Sequence, residues 1–147
     1  MANNIIITGA NQGIGYYMVE KLLSEGNKVS VLDIETDNLT NLKKKYDWLI
    51  FYQVDLRNYD EVKRAVDETV AVFDTIDIAV HNACKCTFES EKETDLDTYN
   101  DVFDVNYFGA LRLVKSVIPY MSARQKGRVI FTSSGVGVTG FMNISPY

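Results

Sequence analysis

Ile5-Ile6-Ile7-Thr8-Gly9-Ala10-Asn11-Gln12-Gly13-Ile14-Gly15 runs three β-branched apolar residues straight into a glycine-rich turn. An apolar pattern of helical period follows, with Ile14, Met18 and Leu22 in line and Val19 and Leu23 beside them. The order predicts a strand over Asn4–Thr8, a tight turn, and a helix over Gly13–Ser24 that stops at Gly26. The start of such a helix offers unpaired N–H groups at the positive end of the helix dipole, a natural seat for a phosphate. Gly9, Gly13 and Gly15 carry no Cβ, so the backbone can approach a ligand or pack close to the sheet. The spacing Thr-Gly-x-x-x-Gly-x-Gly differs from the common Gly-x-Gly-x-x-Gly fingerprint. Taken alone, the segment also fits a plain strand-to-helix turn.

The alternation continues along the chain. A second strand is expected over Lys28–Asp33, with Val29, Val31, Leu32 and Ile34 apolar. A second helix is expected from Thr36 to Tyr46, with Leu39, Leu42 and Tyr46 on one face. The lysines Lys43 to Lys45 near its end suit a solvated helix C-terminus. Strand three is read as Trp48–Val54. Asn58, with Glu61 three residues on, caps a third helix whose apolar stripe is Val62, Ala65, Val66, Thr69, Val70 and Phe73. Strand four is read as Ile76–His81. Thr94 with Asp97 signals the cap of one long helix reaching Ala123. It is expected to bury Tyr99, Val102, Phe103, Ala110, Leu113, Val114 and Val117, and to kink or end locally at Pro119, which has no N–H to donate. Gly127 precedes strand five, Arg128–Ser133, and Ser134 to Tyr147 reads as loop. Strands alternating with helices give a parallel sheet with right-handed crossovers. Strands without polar alternation are buried on both faces.

Composition narrows the function. A hydrophobic fraction of 46% is that of a globular protein rather than a disordered one. The net charge of −5 argues against a nucleic-acid partner held through phosphates. No apolar run approaches the roughly 20 residues that span a bilayer, so no membrane partner is expected. The N-terminus has neither the basic region nor the apolar run of a signal peptide, and a cytoplasmic location is the default expectation. His81, Cys84 and Cys86 are too few, and too close together, for a four-ligand structural zinc site. No metal is expected, and both cysteines are read as reduced thiols.

Several polar residues stand where chemistry would need them. Asp33 ends strand two, 18 residues after Gly15. In a dinucleotide fold an acidic group there accepts hydrogen bonds from the adenosine ribose and repels a 2′-phosphate. Asn11-Gln12 offers no basic residue for that phosphate. Both features favour NAD over NADP, although a solvated aspartate after a strand would look the same. Asp55, after strand three, could simply cap a turn. Asn106 lies inside the long helix, where Asn is a poor interior residue.

The ordered set of motifs resembles the short-chain dehydrogenase/reductase family. Thr8-Gly9 with Asn11, Gln12, Gly13, Ile14 and Gly15 resembles its cofactor turn. Val54-Asp55-Leu56 matches the segment whose acidic residue hydrogen-bonds the adenine edge. His81-Asn82-Ala83-Cys84 resembles the family's Asn-Asn-Ala-Gly, with His81 in place of the first Asn and Cys84 in place of a glycine that passes close to the cofactor. Asn82 matches the Asn that pins the loop geometry. Asn106, in Val105-Asn106-Tyr107-Phe108-Gly109, matches the catalytic Asn that holds a proton-relay water at a local helix irregularity. Val129 to Gly135 matches the strand that delivers the catalytic serine. Ser134 precedes Tyr147 by 13 residues, the family's usual interval, which selects Ser134 over Ser133. The resemblance implies that Ser134 polarises a substrate carbonyl while Tyr147 passes the proton.

It further implies a doubly wound, Rossmann-type α/β sheet of order 3-2-1-4-5, one incomplete NAD-binding domain over residues 1–147, and hydride transfer between nicotinamide and a secondary alcohol or ketone. The family pattern continues with Tyr-x-x-x-Lys, and the sequence stops at Tyr147. That lysine lowers the tyrosine from its ordinary pKa of about 10. The chain as written is therefore expected to show no turnover, and a catalytically inactive nucleotide-binding fragment is the alternative. An open edge on strand five beside Phe103, Tyr107 and Leu111 favours self-association or a homo-oligomer. An S-adenosylmethionine methyltransferase also uses a glycine turn and an acidic strand-two end, but the Thr8–Gly15 spacing and the Ser134/Tyr147 pair count against it.

Overall fold

The computed structural model describes residues 2–147. Its strands are β1 (Asn4–Thr8), β2 (Lys28–Asp33), β3 (Leu49–Gln53), β4 (Ile78–His81) and β5 (Arg128–Phe131). All pairings are parallel, and the order across the sheet is β3-β2-β1-β4-β5. The helices are α1 (Gly13–Ser24), α2 (Asp37–Lys43), α3 (Tyr59–Phe73), α4 (Leu96–Phe103) and α5 (Gly109–Ala123). The doubly wound order expected from the sequence is what the sheet shows.

Successive strand residues point to opposite faces, and here both faces are dry. Ile6 and Leu32 pack with Val54, Val62, Val66, Leu113 and Val117 beneath α3 and α5. Ile5, Ile7, Val29 and Val31 pack with Val19, Leu23, Leu39 and Leu42 beneath α1 and α2. Each fully buried Leu, Ile or Val side chain contributes about 1.5–3 kcal/mol. The strand order reverses between β1 and β4, and in such sheets that reversal opens a crevice at the carboxyl ends of the strands.

Local details differ from the sequence reading. α2 stops at Lys43, and Tyr46 instead closes a turn through its N–H to the Leu42 carbonyl (3.2 Å). On α1 the buried line is Gly15, Val19 and Leu23, while Ile14 is 74% exposed at the crevice. Ile34 is likewise exposed beyond the end of β2. The cap of α4 is Asp95, whose carboxylate accepts the Thr98 N–H at 2.7 Å. The Thr94 hydroxyl donates backwards to the Ser90 carbonyl instead.

The single long helix is broken by a π-turn, Asp104–Phe108, between α4 and α5. The extra residue rotates the apolar stripe, so Phe103 is 51% exposed, and Tyr99 and Val114 are only partly buried. Val102, Ala110, Leu113 and Val117 are buried as expected. Pro119 does not end α5, which runs on to Ala123. Pro119 and Lys115 both lie on its exposed side, so the carbonyl that loses its donor can turn to water.

Candidate functional site

A cleft of about 620 Å³ lies over the carboxyl ends of the strands, within the usual range of about 300–1,000 Å³ for ligand sites. Each loop that follows a strand contributes to its wall. Gly9, Gln12, Ile14 and Gly15 come from the first, Asp33 and Ile34 from the second, and Asp55, Leu56 and Arg57 from the third. Asn82, Ala83, Cys84 and Lys85 follow β4, Ser133 and Ser134 follow β5, and Tyr147 closes the far end.

The glycines of the first turn have separate physical duties. A Cβ on Gly9 would sit 2.3 Å from the Ala83 Cα, and one on Gly15 would sit 2.3 Å from the Gly9 carbonyl oxygen. These two let β1, α1 and the loop after β4 close on one another. Gly13, at φ +59, faces open space. Gln12 supplies no side-chain cap to α1, and no acidic residue lies in the first turn. Helical hydrogen bonding begins only with the Tyr16 N–H to the Gln12 carbonyl, at 3.2 Å. The N–H groups ahead of it are left for whatever enters the cleft.

Two residues of the turn are structural in this geometry. Thr8 is fully buried, and its hydroxyl oxygen accepts the N–H groups of Asn82 and Ala83, each at 3.2 Å. Asn11 is buried as well. Its N–H donates to Asp33 Oδ2 (2.7 Å), its amide donates to Asp37 Oδ1 (3.0 Å), and its Oδ1 accepts the Asn38 N–H (3.0 Å). Thr8 therefore joins the turn to β4, and Asn11 joins it to the start of α2. Asn82 completes the brace by donating to the Gly9 carbonyl at 2.7 Å.

Asp33 Oδ1 accepts the Glu35 N–H at 3.1 Å. An ionised carboxylate has about four lone-pair sites, so two backbone donors leave Asp33 with capacity for a ligand. Asp55 is more committed: Arg57 grips it through Nε (3.0 Å) and Nη2 (2.7 Å), and this holds its carboxyl below the usual range. The other arm of Arg57 reaches Asp101 at 2.6 Å, and Lys85 pairs with the same carboxylate. Those two contacts, Lys85 first, depress Asp101 as well. The chain Asp55–Arg57–Asp101–Lys85 ties the loop after β3, helix α4 and the loop after β4 together. Sequence reasoning passed over it, because residues 44 positions apart carry no shared local signal.

Asn106 sits in the π-turn and clasps the backbone of one residue, Lys85, on both sides. Its Oδ1 accepts the Lys85 N–H at 2.7 Å, and its amide donates to the Lys85 carbonyl at 2.9 Å. Its neighbour Val105, not Asn106 itself, lines the cleft. The Ser134 oxygen accepts the Val136 N–H at 3.4 Å and caps a short 3₁₀ turn, Gly135–Gly137. The structure thus brings Gly9, Gln12, Ile14, Gly15, Asp33, Asp55, Leu56, Asn82, Ala83, Ser134 and Tyr147 to one cleft. Thr8, Asn11, Gly13 and Asn106 stand behind or beside its wall.

A family model described as short chain dehydrogenase matches residues 3–147. Cis-2,3-dihydrobiphenyl-2,3-diol dehydrogenase of Paraburkholderia xenovorans (strain LB400) is 32% identical over 139 residues, which are 90% of this chain and 50% of that protein. Among solved structures, NAD⁺-bound xylitol dehydrogenase matches with a TM-score of 0.90 at 27% identity, over 99% of this chain and 58% of that one. ElxO with NADP bound matches at 0.91 and 24% identity, over 100% and 61%, a likeness of fold alone. The chain belongs to the short-chain dehydrogenase family, a family of oxidoreductases. It spans about half the length of the curated relatives it matches.

Proposed function

We propose that this chain carries the nicotinamide-binding part of an NAD-dependent oxidoreductase that interconverts a secondary alcohol and a ketone. The observation that carries the reading is the uncapped start of α1, which opens onto a cleft running from Asp33 to Ser134 and Tyr147. The residues fit a dinucleotide: an open glycine turn for the pyrophosphate, a carboxylate with free lone pairs for the ribose, and Leu56 beside Asp55 for the adenine. When bound, the nicotinamide supplies or accepts the hydride. Gly13, Ile14 and Gln12 receive the phosphates, while Thr8, Asn11, Asn82 and Ala83 hold the turn and the ribose loop in shape. Ser134 donates a hydrogen bond to the substrate oxygen, Tyr147 moves the proton at that oxygen, and Asn106 keeps the β4–α4 loop in register through Lys85.

The preference for NAD rests on Asp33 and on where the cations go. The basic residues on the cleft wall, Arg57 and Lys85, are both engaged by Asp101. A 2′-phosphate beside Asp33 would meet a like charge and no free cation from that wall. Titration of NADH and NADPH, followed by fluorescence or thermal shift, tests the choice. NADH should bind more tightly, and Asp33→Ala should weaken NADH and narrow the gap by about tenfold, the equivalent of one charge-assisted hydrogen bond of about 1.5 kcal/mol. Tighter binding of NADPH by the unaltered chain would refute the assignment.

A further inference from the structure

We infer that His81 is a positioning residue: Thr8 fixes its ring as the Nε2–H tautomer, and that proton is held out to the Asn106 backbone carbonyl, joining the cofactor turn to the π-turn. The argument starts at the Thr8 oxygen. A hydroxyl has one proton and two lone pairs. The Asn82 and Ala83 N–H groups can only donate, and both reach Thr8 Oγ1 at 3.2 Å, so its lone pairs are taken. The third partner is His81 Nδ1 at 3.1 Å, and the hydroxyl proton must go there. Nδ1 is then an acceptor, and the neutral ring carries its own proton on Nε2.

Nε2 is buried, makes no hydrogen bond of ordinary geometry among the described residues, and belongs to a side chain only 4% exposed. The Asn106 carbonyl lies close enough to favour the protonated ring, against the larger opposing effect of burial. Since Nδ1 is turned to β1, the nitrogen facing Asn106 is Nε2. We assign that carbonyl as the acceptor of the otherwise unpartnered Nε2–H, met directly after a small shift or through one buried water. On its other side Asn106 clasps Lys85, four residues beyond His81. The result is a closed mechanical path: Thr8 at the glycine turn, His81 on β4, Asn106 in the π-turn, and back through Lys85. Its bearing on catalysis rests on the proposed nicotinamide function, whereas the tautomer does not.

His81 is the only histidine of the chain, so long-range ¹H–¹⁵N spectra show a single imidazole. The expected pattern is an unprotonated Nδ1 and a protonated Nε2 whose proton exchanges slowly. Thr8→Val should release the tautomer, and Thr8→Ser, which keeps the hydroxyl, should restore it. His81→Gln keeps a donor near the Nε2 position and should leave amide exchange at Lys85 close to wild type. His81→Asn should speed it by about tenfold, the weight of one hydrogen bond. A protonated Nδ1 in the unaltered chain, or identical Lys85 exchange in the Gln and Asn variants, would overturn the inference. Adding NADH in a separate arm should shift the His81 signal. If NADH has no effect while the tautomer is as stated, the nicotinamide reading is what fails.

Discussion

Gly9 and Gly13 look equivalent in the sequence, and both have positive φ, yet the structure gives them different tolerances. Gly9→Ala combines left-handed strain with a collision against Ala83, and should cost about 2–5 kcal/mol. Gly13→Ala meets open space and should cost only about 1–2 kcal/mol of strain. Urea unfolding of the two variants measures the difference, and equal losses would show that crowding at Ala83 is not what holds Gly9. The spacing of these glycines was legible from sequence because it is a local property. Their division of labour was not, since it depends on Ala83 and Asn82 arriving from β4. His81 teaches the same lesson. As a departure from a family motif it was visible, but its burial against Thr8 needed the β1–β4 register. Burial lowers its pKa from the ordinary value of about 6.5. The sign follows: the unfolded chain binds the proton more readily, so this contribution to stability is complete above about pH 6.5 and is lost as pH falls through the lower folded value. Denaturant midpoints measured across that window should fall with acid in the unaltered chain and flatten in His81→Asn.

Helix starts separate by purpose. Asn58 caps α3, accepting the Asp60 N–H at 3.0 Å and the Glu61 N–H at 3.3 Å, and Asp95 caps α4. α1 begins without a side-chain cap, as α2 and α5 also do, and it is the one of the three whose first residues, Ile14 and Gly15, line the cleft. Asn58→Ala should therefore cost about 0.5–2 kcal/mol of stability with little change in nucleotide binding. Calorimetry beside an NADH titration checks both halves. The capping signal at Asn58 was legible because it is carried within one turn. Glu61 was only half so: one carboxylate oxygen meets the Asn58 amide at 3.0 Å, and the other reaches back to the Asp55 N–H at 3.0 Å, bracing the loop that lines the cleft. The π-turn was anticipated only through the resemblance that marked Asn106. Nothing in the local period of residues 96–123 announces an inserted residue, and reading that stretch as one continuous helix misplaced Phe103.

At the scale of the molecule, that inserted residue has a visible cost in exposed apolar surface. Phe103 is 51% exposed, Tyr107 55% and Phe108 47%, with Tyr107 and Phe108 packed edge to face at 5.2 Å. Leu111 and Ile118 extend the exposed stretch along α5. β5 pairs with β4 on one side and with no other strand among the described residues, and its own side chains are poorly covered. A contiguous apolar face on this scale marks an association surface more often than free solvent contact. The net charge of −5 gives weak protection, because repulsion between copies is screened within roughly 10 Å at 0.1 M salt. The chain is therefore predicted to form homo-oligomers through the α4–α5 face. Light scattering over a concentration series should give a mass at least twice the chain's 16.6 kDa. Phe103→Glu and Leu111→Glu, which place charges on that face without touching the buried Val102 and Leu113, should shift the distribution toward monomer. A monomer at every concentration would mean that the exposed aromatics serve some end other than self-association. If the oligomer survives both substitutions and residues 128–131 are protected from amide exchange, the copies meet at the β5 edge instead.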